Sequence, residues 1–265
     1  MIADLHAHYA MHLVDEDGST WKLLGPARGR GSLLDRSRAL LVGLASRFAN
    51  YRDLFSGPRV TLSSLHEGRV AVVLSVLYSF FDELELEEQY PAQPKRAYLD
   101  SLLGQLELVE HDLDSNHAST AVVVRTPEQL AQSLEGDQVA FVHCVEGGFH
   151  LGSTPDEIDE AVSTLARRGV AYITLAHLVW RHVATNTNAL PFLSEDDYRR
   201  WFPQPEEGLS ELGRAAVRAM VREGVLIDLS HMSGRSVTNT FDLLDELDPG
   251  RTRPVLASHA CFRFG

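Results

Sequence analysis

The 265-residue chain has only two cysteines, Cys144 and Cys261. Two thiols in apolar, strand-like contexts cannot build a disulfide framework, so both are read as reduced and buried in a reducing compartment. Positive charge is scarce as well: 24 Lys+Arg stand against 37 Asp+Glu, a formal charge of −13 with no basic stretch. An acidic surface repels phosphate backbones, which argues against nucleic acid and anionic membranes as main partners. No run reaches the roughly 18 apolar residues that a membrane helix needs. The opening MIADLHAHYAMHLVDEDG lacks a basic segment followed by an apolar one, so it does not read as a secretory signal and the expectation is a cytoplasmic protein. Internal repeats and low-complexity tracts are lacking too, and no composition shift marks a boundary, which gives one domain over 1–265.

What is present is the material of a large core. Hydrophobic residues make up 44% and charged residues 23%, which excludes a disordered chain. Short β-branched runs alternate with segments of helical period, the pattern of parallel α/β folds, and the length suits a (β/α)₈ TIM barrel of about 250 residues. Six barrel-type strands are expected, at 2–6, 69–78, 138–145, 171–176, 225–229 and 254–257. Between them fall helices at about 32–50, 95–116, 153–168, 210–223 and 235–247. A further short run at 120–125 precedes a small helix opened by Thr126-Pro127, with Thr as N-cap and Pro in the first turn. Long insertions after the first, second and fourth strands consume the length, so the expected barrel is truncated after its sixth strand.

Parallel α/β barrels carry reactive side chains at the carboxyl ends of their strands. Those ends hold His6 and His8, then Glu146, His177, His231 and His259, which is five of the twelve histidines. His6 and His8 share strand parity, so an extended backbone points both to one side. Glu146 shares a face with Cys144 and leaves His143 on the other. Imidazoles with one carboxylate suit Zn²⁺, with Mn²⁺ or Co²⁺ as alternatives. Four histidines and a carboxylate exceed the three protein ligands usual for one catalytic zinc, which favours two metals bridged by Glu146.

These residues sit in recognisable segments: DLHAH (4–8), VEGG (145–148), YITLAH (172–177), GLSELGRAAVRAMVREGVLIDLSHMS (208–233) and PVLASHA (254–260). In family order and spread over the chain, they resemble the membrane (renal) dipeptidase family of the amidohydrolase superfamily. The resemblance implies a binuclear zinc dipeptidase whose activated hydroxide attacks the peptide carbonyl. By position, His6 and His8 match the ligands of one metal, Glu146 the bridge, and His231 and His259 the ligands of the other. His177 matches the histidine that contacts the scissile carbonyl, and Arg263 the arginine that can hold the terminal carboxylate of a small dipeptide-like substrate. The chain departs from the family in three places. It has His-Ala-His where the family usually has His-x-Asp, it lacks a Trp-Ala-Asp element after His177, and it has no eighth strand to carry the family's catalytic aspartate. Other amidohydrolase activities (lactone, deacetylase, β-lactam) and a metal-binding fragment without turnover are the competing readings. A homodimer is one way to cover the open strand edges.

The remaining polar residues read more plainly. His12, His66, His111 and His117 are surface histidines, His143 is structural, and His150 and His182 lie in loops that could reach the pocket mouth. Asp4 either orients a ligand or anchors its strand, whereas Asp228 has a structural hydrogen-bonding role. The acidic run Glu83 to Glu88 reads as solvated surface.

Overall fold

Short β-branched runs such as VAVVLSVL build a parallel sheet of seven strands in a computed structural model that describes residues 2–10, 13, 60–85, 88–190 and 193–259. The strands are β1 (Ile2–Ala7), β2 (Val70–Leu77), β3 (Ala121–Val123), β4 (Val139–Glu146), β5 (Tyr172–Thr174), β6 (Leu226–Asp228) and β7 (Val255–Leu256). The hydrogen-bonded path runs β1-β2-β4-β5-β6-β7, which corresponds to the six expected barrel strands in order. β3, at the 120–125 run, lies off that path against the first half of β4, pairing Ala121 with Val139 and Val123 with Phe141. β5 takes over at the far end of β4, pairing Val145 with Ile173 and Glu146 with Thr174. The expected helix at 32–50, together with His12, Cys261 and Arg263, lies outside the described residues.

The sheet is curled into a half-barrel. Five spacings separate the edge strands of a flat six-strand path, about 24 Å in all. Yet the rings of His6, on β1, and His259, just after β7, are 4.0 Å apart. The curl therefore brings the carboxyl ends of the two edges together, as a barrel does.

Helices α1 (Leu62–Glu67), α2 (Phe80–Leu84), α3 (Ala97–Asn116), α4 (Pro127–Ser133), α5 (Pro155–Arg167), α6 (Glu195–Trp201), α7 (Glu211–Glu223) and α8 (Gly234–Leu247) connect the strands. Hydroxyl caps start four of them, Thr126 as expected: Thr126, Thr154, Ser210 and Ser233 each accept a backbone N–H from three residues on. α3 buries Leu102, Leu106, Val109 and Leu113 and leaves its acidic face outward. No helix among the described residues is long and apolar enough to cross a membrane. Cys144 is a free, buried thiol, pushed well above its ordinary pKa by burial.

Gly213, in the first turn of α7, shows why the 208–233 segment is so particular. A Cβ there would sit 2.3 Å from the backbone oxygen of Val183, and that oxygen also accepts the N–H of Ser210. Helix propensity alone would favour alanine by about 1 kcal/mol. Gly213→Ala is nonetheless expected to lower the thermal midpoint, because a backbone atom cannot yield as a flexible side chain would; a midpoint at or above wild type would contradict this close packing.

Candidate metal centre

β4 ends on Glu146, and the chain turns at once through Gly147, whose φ of +93° a side-chain-bearing residue rarely adopts. The turn leaves the Glu146 carboxylate at the mouth of the curled sheet, 1% exposed. Oε1 lies 3.4 Å from His6 Nε2, 3.6 Å from His231 Nε2 and 3.5 Å from His259 Nε2. Oε2 lies 3.4 Å from the Nε2 atoms of both His8 and His177. All five histidines predicted at strand ends converge on this one group. Burial would raise the carboxyl's pKa, but the imidazoles facing it, His177 foremost, hold it well below the usual carboxylate range.

Outer partners fix each ring. His6 Nδ1 lies 2.9 Å from the Tyr172 hydroxyl, which itself donates to the Leu5 carbonyl at 2.9 Å. A hydroxyl whose proton is already used must accept, so His6 carries its proton on Nδ1 and leaves Nε2 as a lone pair. His259 Nδ1 lies 2.9 Å from Ser258 Oγ, which donates to Asp228 at 2.6 Å, and the same reasoning frees its Nε2. Burial drives His8 and His259 down to about 4, with Glu146 pulling the other way, so both are neutral at neutral pH.

The predicted secondary residues separate cleanly. Asp228 is fully buried and accepts from Thr174 Oγ1 (2.7 Å), Ser230 N (3.1 Å), Ser230 Oγ (2.8 Å), Ser258 N (3.0 Å) and Ser258 Oγ (2.6 Å). Although it lies close to His6 and His259, its oxygens are saturated by these donors, in keeping with the structural reading. Asp4 accepts the backbone N–H of His6 at 3.0 Å and so anchors the strand. His143 points to the opposite face, 3.6 Å from Glu110. His150 is buried, with Nδ1 donating to the Gly147 carbonyl at 2.8 Å and Nε2 accepting from Ser79 N at 3.3 Å. His182 Nε2 donates to the Pro91 carbonyl at 3.1 Å. Both loop histidines are thus committed to backbone partners.

One expectation fails. The acidic run is not simply solvated surface: Glu83 is completely buried and lies 2.7 Å from His177 Nδ1. It also accepts the Tyr78 hydroxyl at 2.5 Å and the N–H groups of Leu178 (2.7 Å) and Val179 (3.0 Å). Buried Arg181 donates to the carbonyls of Asp82, Glu83 and Ala92, which locks the connection after β2 over the strand ends. The signal was the aromatic SFFDEL context, which the surrounding acidic residues outweigh in any local average.

The donor set fits divalent metal. Both Glu146 oxygens are buried without a hydrogen-bond partner, His6 Nε2 is 3.2 Å from His8 Nε2, and His231 Nε2 is 2.7 Å from His259 Nε2. Ring nitrogens crowded this closely around a carboxylate are what cations relieve. Ligand atoms lying mutually within 4.8 Å form one set of His6, His8 and Glu146 and another of Glu146, His177 and His231, so Glu146 is common to both.

A curled parallel sheet with an imidazole-rich, carboxylate-centred cluster at its strand ends is the architecture of barrel metallohydrolases. A family model for membrane dipeptidases (peptidase family M19) matches residues 32–264. The chain belongs to that family. It is 26% identical over 173 residues to the dipeptidase verJ of Clonostachys rogersoniana, covering 65% of this chain and 40% of that protein. To the dipeptidase tcpJ of Claviceps purpurea (strain 20.1) it is 24% identical over 216 residues, covering 81% and 44%. The chain therefore spans less than half the length of the curated relatives it matches. Its fold resembles a metallopeptidase of Rhodobacter sphaeroides solved with a phosphinate mimic of the dipeptide L-Ala-D-Ala. There the TM-score is 0.58 and the identity 18%, over 98% of this chain and 64% of that one. It also resembles the probable dipeptidase PvdM of Pseudomonas aeruginosa, with a TM-score of 0.52 and 23% identity over 77% and 46%.

Two tests follow from this geometry. Asp228→Asn loses charge-assisted bonds worth about 1.5–3 kcal/mol each when broken. It should lower unfolding stability in urea and weaken divalent-metal affinity by roughly tenfold or more through His259; unchanged metal affinity would show that the Asp228–Ser258 pair does not orient the ring. Burial lowers His150 from 6.5 to about 4, so between those values the unfolded chain binds a proton that the folded one refuses. Stability linked to His150 is complete above pH 6.5 and is lost as pH falls towards 4, at up to about 1.4 kcal/mol per pH unit. Urea unfolding of metal-free protein across that window should therefore show a shallower pH slope in His150→Gln, and an identical slope would refute the buried neutral assignment.

Proposed function

We propose that the chain is the metal-binding part of a dipeptidase that hydrolyses the peptide bond of small dipeptides. Two divalent ions are assigned to it, Zn²⁺ first, with Mn²⁺ or Co²⁺ as alternatives. The observation that carries the reading is the buried Glu146 carboxylate with five imidazole Nε2 atoms within 3.6 Å and no hydrogen bond of its own. In this reading Glu146 would be shared by both ions, His6 and His8 would serve one, and His231 and His259 would serve the other. Bound at such a site, divalent metal supplies Lewis acidity and a water-derived nucleophile at neutral pH.

The chain's own contribution centres on His177. Burial would lower its pKa, but Glu83 and Glu146 on either side outweigh that and raise it. A ring held protonated, with Nε2 facing the Glu146 oxygen, can donate to the carbonyl oxygen that gains charge as the peptide bond is attacked. Arg263 is proposed to pair with the substrate's terminal carboxylate.

Dialysis against a chelator should abolish turnover of a panel of L-L and L-D dipeptides, and two equivalents of Zn²⁺ per chain should restore it. Glu146→Gln should bind less than two equivalents and show no turnover. Normal turnover by metal-free protein, or a Gln variant with two tightly bound ions and wild-type rates, would defeat the proposal. Cleavage of a lactone and of no dipeptide would redirect it to another amidohydrolase activity.

A further inference from the structure

Glu83 lies 94 positions from His177 in the chain, yet it is the only carboxylate against His177 Nδ1 among the described residues. Its two oxygens are used differently. Oε1 accepts the consecutive N–H groups of Leu178 and Val179, at 2.7 and 3.0 Å. Oε2 faces His177 Nδ1 at 2.7 Å and the Tyr78 hydroxyl at 2.5 Å. Neither oxygen has room for water, since Glu83 is 0% exposed. Burying a carboxylate is costly unless every lone pair is answered, and here four donors answer it. Three of them hold the carboxylate; the fourth is the imidazole that the carboxylate in turn holds. Arg181 pins the Asp82 and Glu83 carbonyls from behind, and the Tyr78 ring stands edge-on to His177 at 4.6 Å.

We propose that Glu83 is the positioning residue of His177: it fixes the proton on Nδ1 and thereby aims Nε2 at the Glu146 carboxylate, where the scissile group of a dipeptide would lie. The proposal rests on the dipeptidase reading for the word scissile, and on geometry alone for the position of the ring. Its sharpest consequence concerns the isosteric amide. In Glu83→Gln the carbonyl oxygen must stay with the two backbone N–H groups, because turning the NH₂ towards them would set donor against donor. The NH₂ then faces His177, whose Nδ1 has to become the acceptor, so the ring gives up its Nδ1 proton and keeps one on Nε2 alone. A carboxylate that merely filled space would leave the Nδ1 proton alone.

Long-range ¹H–¹⁵N correlation on the labelled, zinc-loaded full chain reads this directly, with His177 assigned by the signals lost in His177→Asn. Wild type should show Nδ1 protonated, and Glu83→Gln should show Nδ1 as the unprotonated, pyridine-like nitrogen. In parallel, kcat for L-Ala-D-Ala should fall roughly 10–100-fold, the usual effect of removing an outer partner, while KM stays within about twofold. A wild-type Nδ1 without its proton, a Gln variant that keeps the Nδ1 proton, or one that keeps the wild-type kcat overturns the assignment. If Glu83→Gln does not fold, Glu83→Asp serves instead, since it keeps the charge but withdraws it from Nδ1; an Asp variant with wild-type Nδ1 signals and wild-type kcat overturns the assignment equally. A zinc-loaded wild type that cleaves no dipeptide defeats the dipeptidase reading, and the spectra still decide the position of His177.

Discussion

A carboxylate buried without a hydrogen bond is a large expense in a low-dielectric interior, and Glu146 is one. Five imidazoles stand around it, a donor set that fits a cation, and those imidazoles come from the ends of β1, β4's neighbour β5, β6 and β7. The constraint reaches back into the fold. Only a curled sheet can bring groups from both of its edges to one point, so the curvature of the backbone and the compensation of this charge are the same requirement seen at two scales.

Two polar latches hold that curvature at the strand ends. Asp228, at the end of β6, ties Thr174 at the end of β5 to Ser258 just beyond β7. Tyr172 on β5 reaches across to the Leu5 carbonyl and His6 on β1. Neither latch touches the Glu146 carboxylate, yet each ends on a ring that does. Hydrogen bonds of this kind contribute modest stability while fixing direction, and direction is what a cluster of convergent nitrogens needs.

Much of the centre was legible in the sequence because it obeys local rules. Strand parity set His6 beside His8 and turned His143 away from Glu146, and strand ends picked out His177, His231 and His259. Helical period placed α3, α5, α7 and α8 to within two residues, and Thr126 opens α4 as read. What escaped is non-local. Glu83 answers to His177 at a separation that no periodicity spans, and its acidic neighbours suggest the opposite environment. Ser258, just past a strand, and Tyr172, within one, look like ordinary residues until the curl brings β1 and β7 together. The placement of β3 beside the first half of β4 likewise depends on which edge of β4 the short β5 leaves open, which is a property of the assembled sheet.

The backbone at His231 shows how the site is held against local preference. Its φ is +64°, a left-handed conformation that costs a residue with a Cβ about 1–2 kcal/mol. The surroundings impose it: Thr187 N donates to the His231 carbonyl at 2.8 Å, Asn186 bridges to Met232, and Ser233 N donates to Thr185 at 2.8 Å before its own side chain caps α8. A right-handed or extended His231 would break this clasp with the 185–187 segment or send the imidazole away from Glu146. The strain sits where β6 must give way to α8 within a few residues while still presenting a nitrogen to the centre. It is met by hydrogen bonds on both flanks, which explains why the SHMS stretch is bound so tightly to the loop that follows His177.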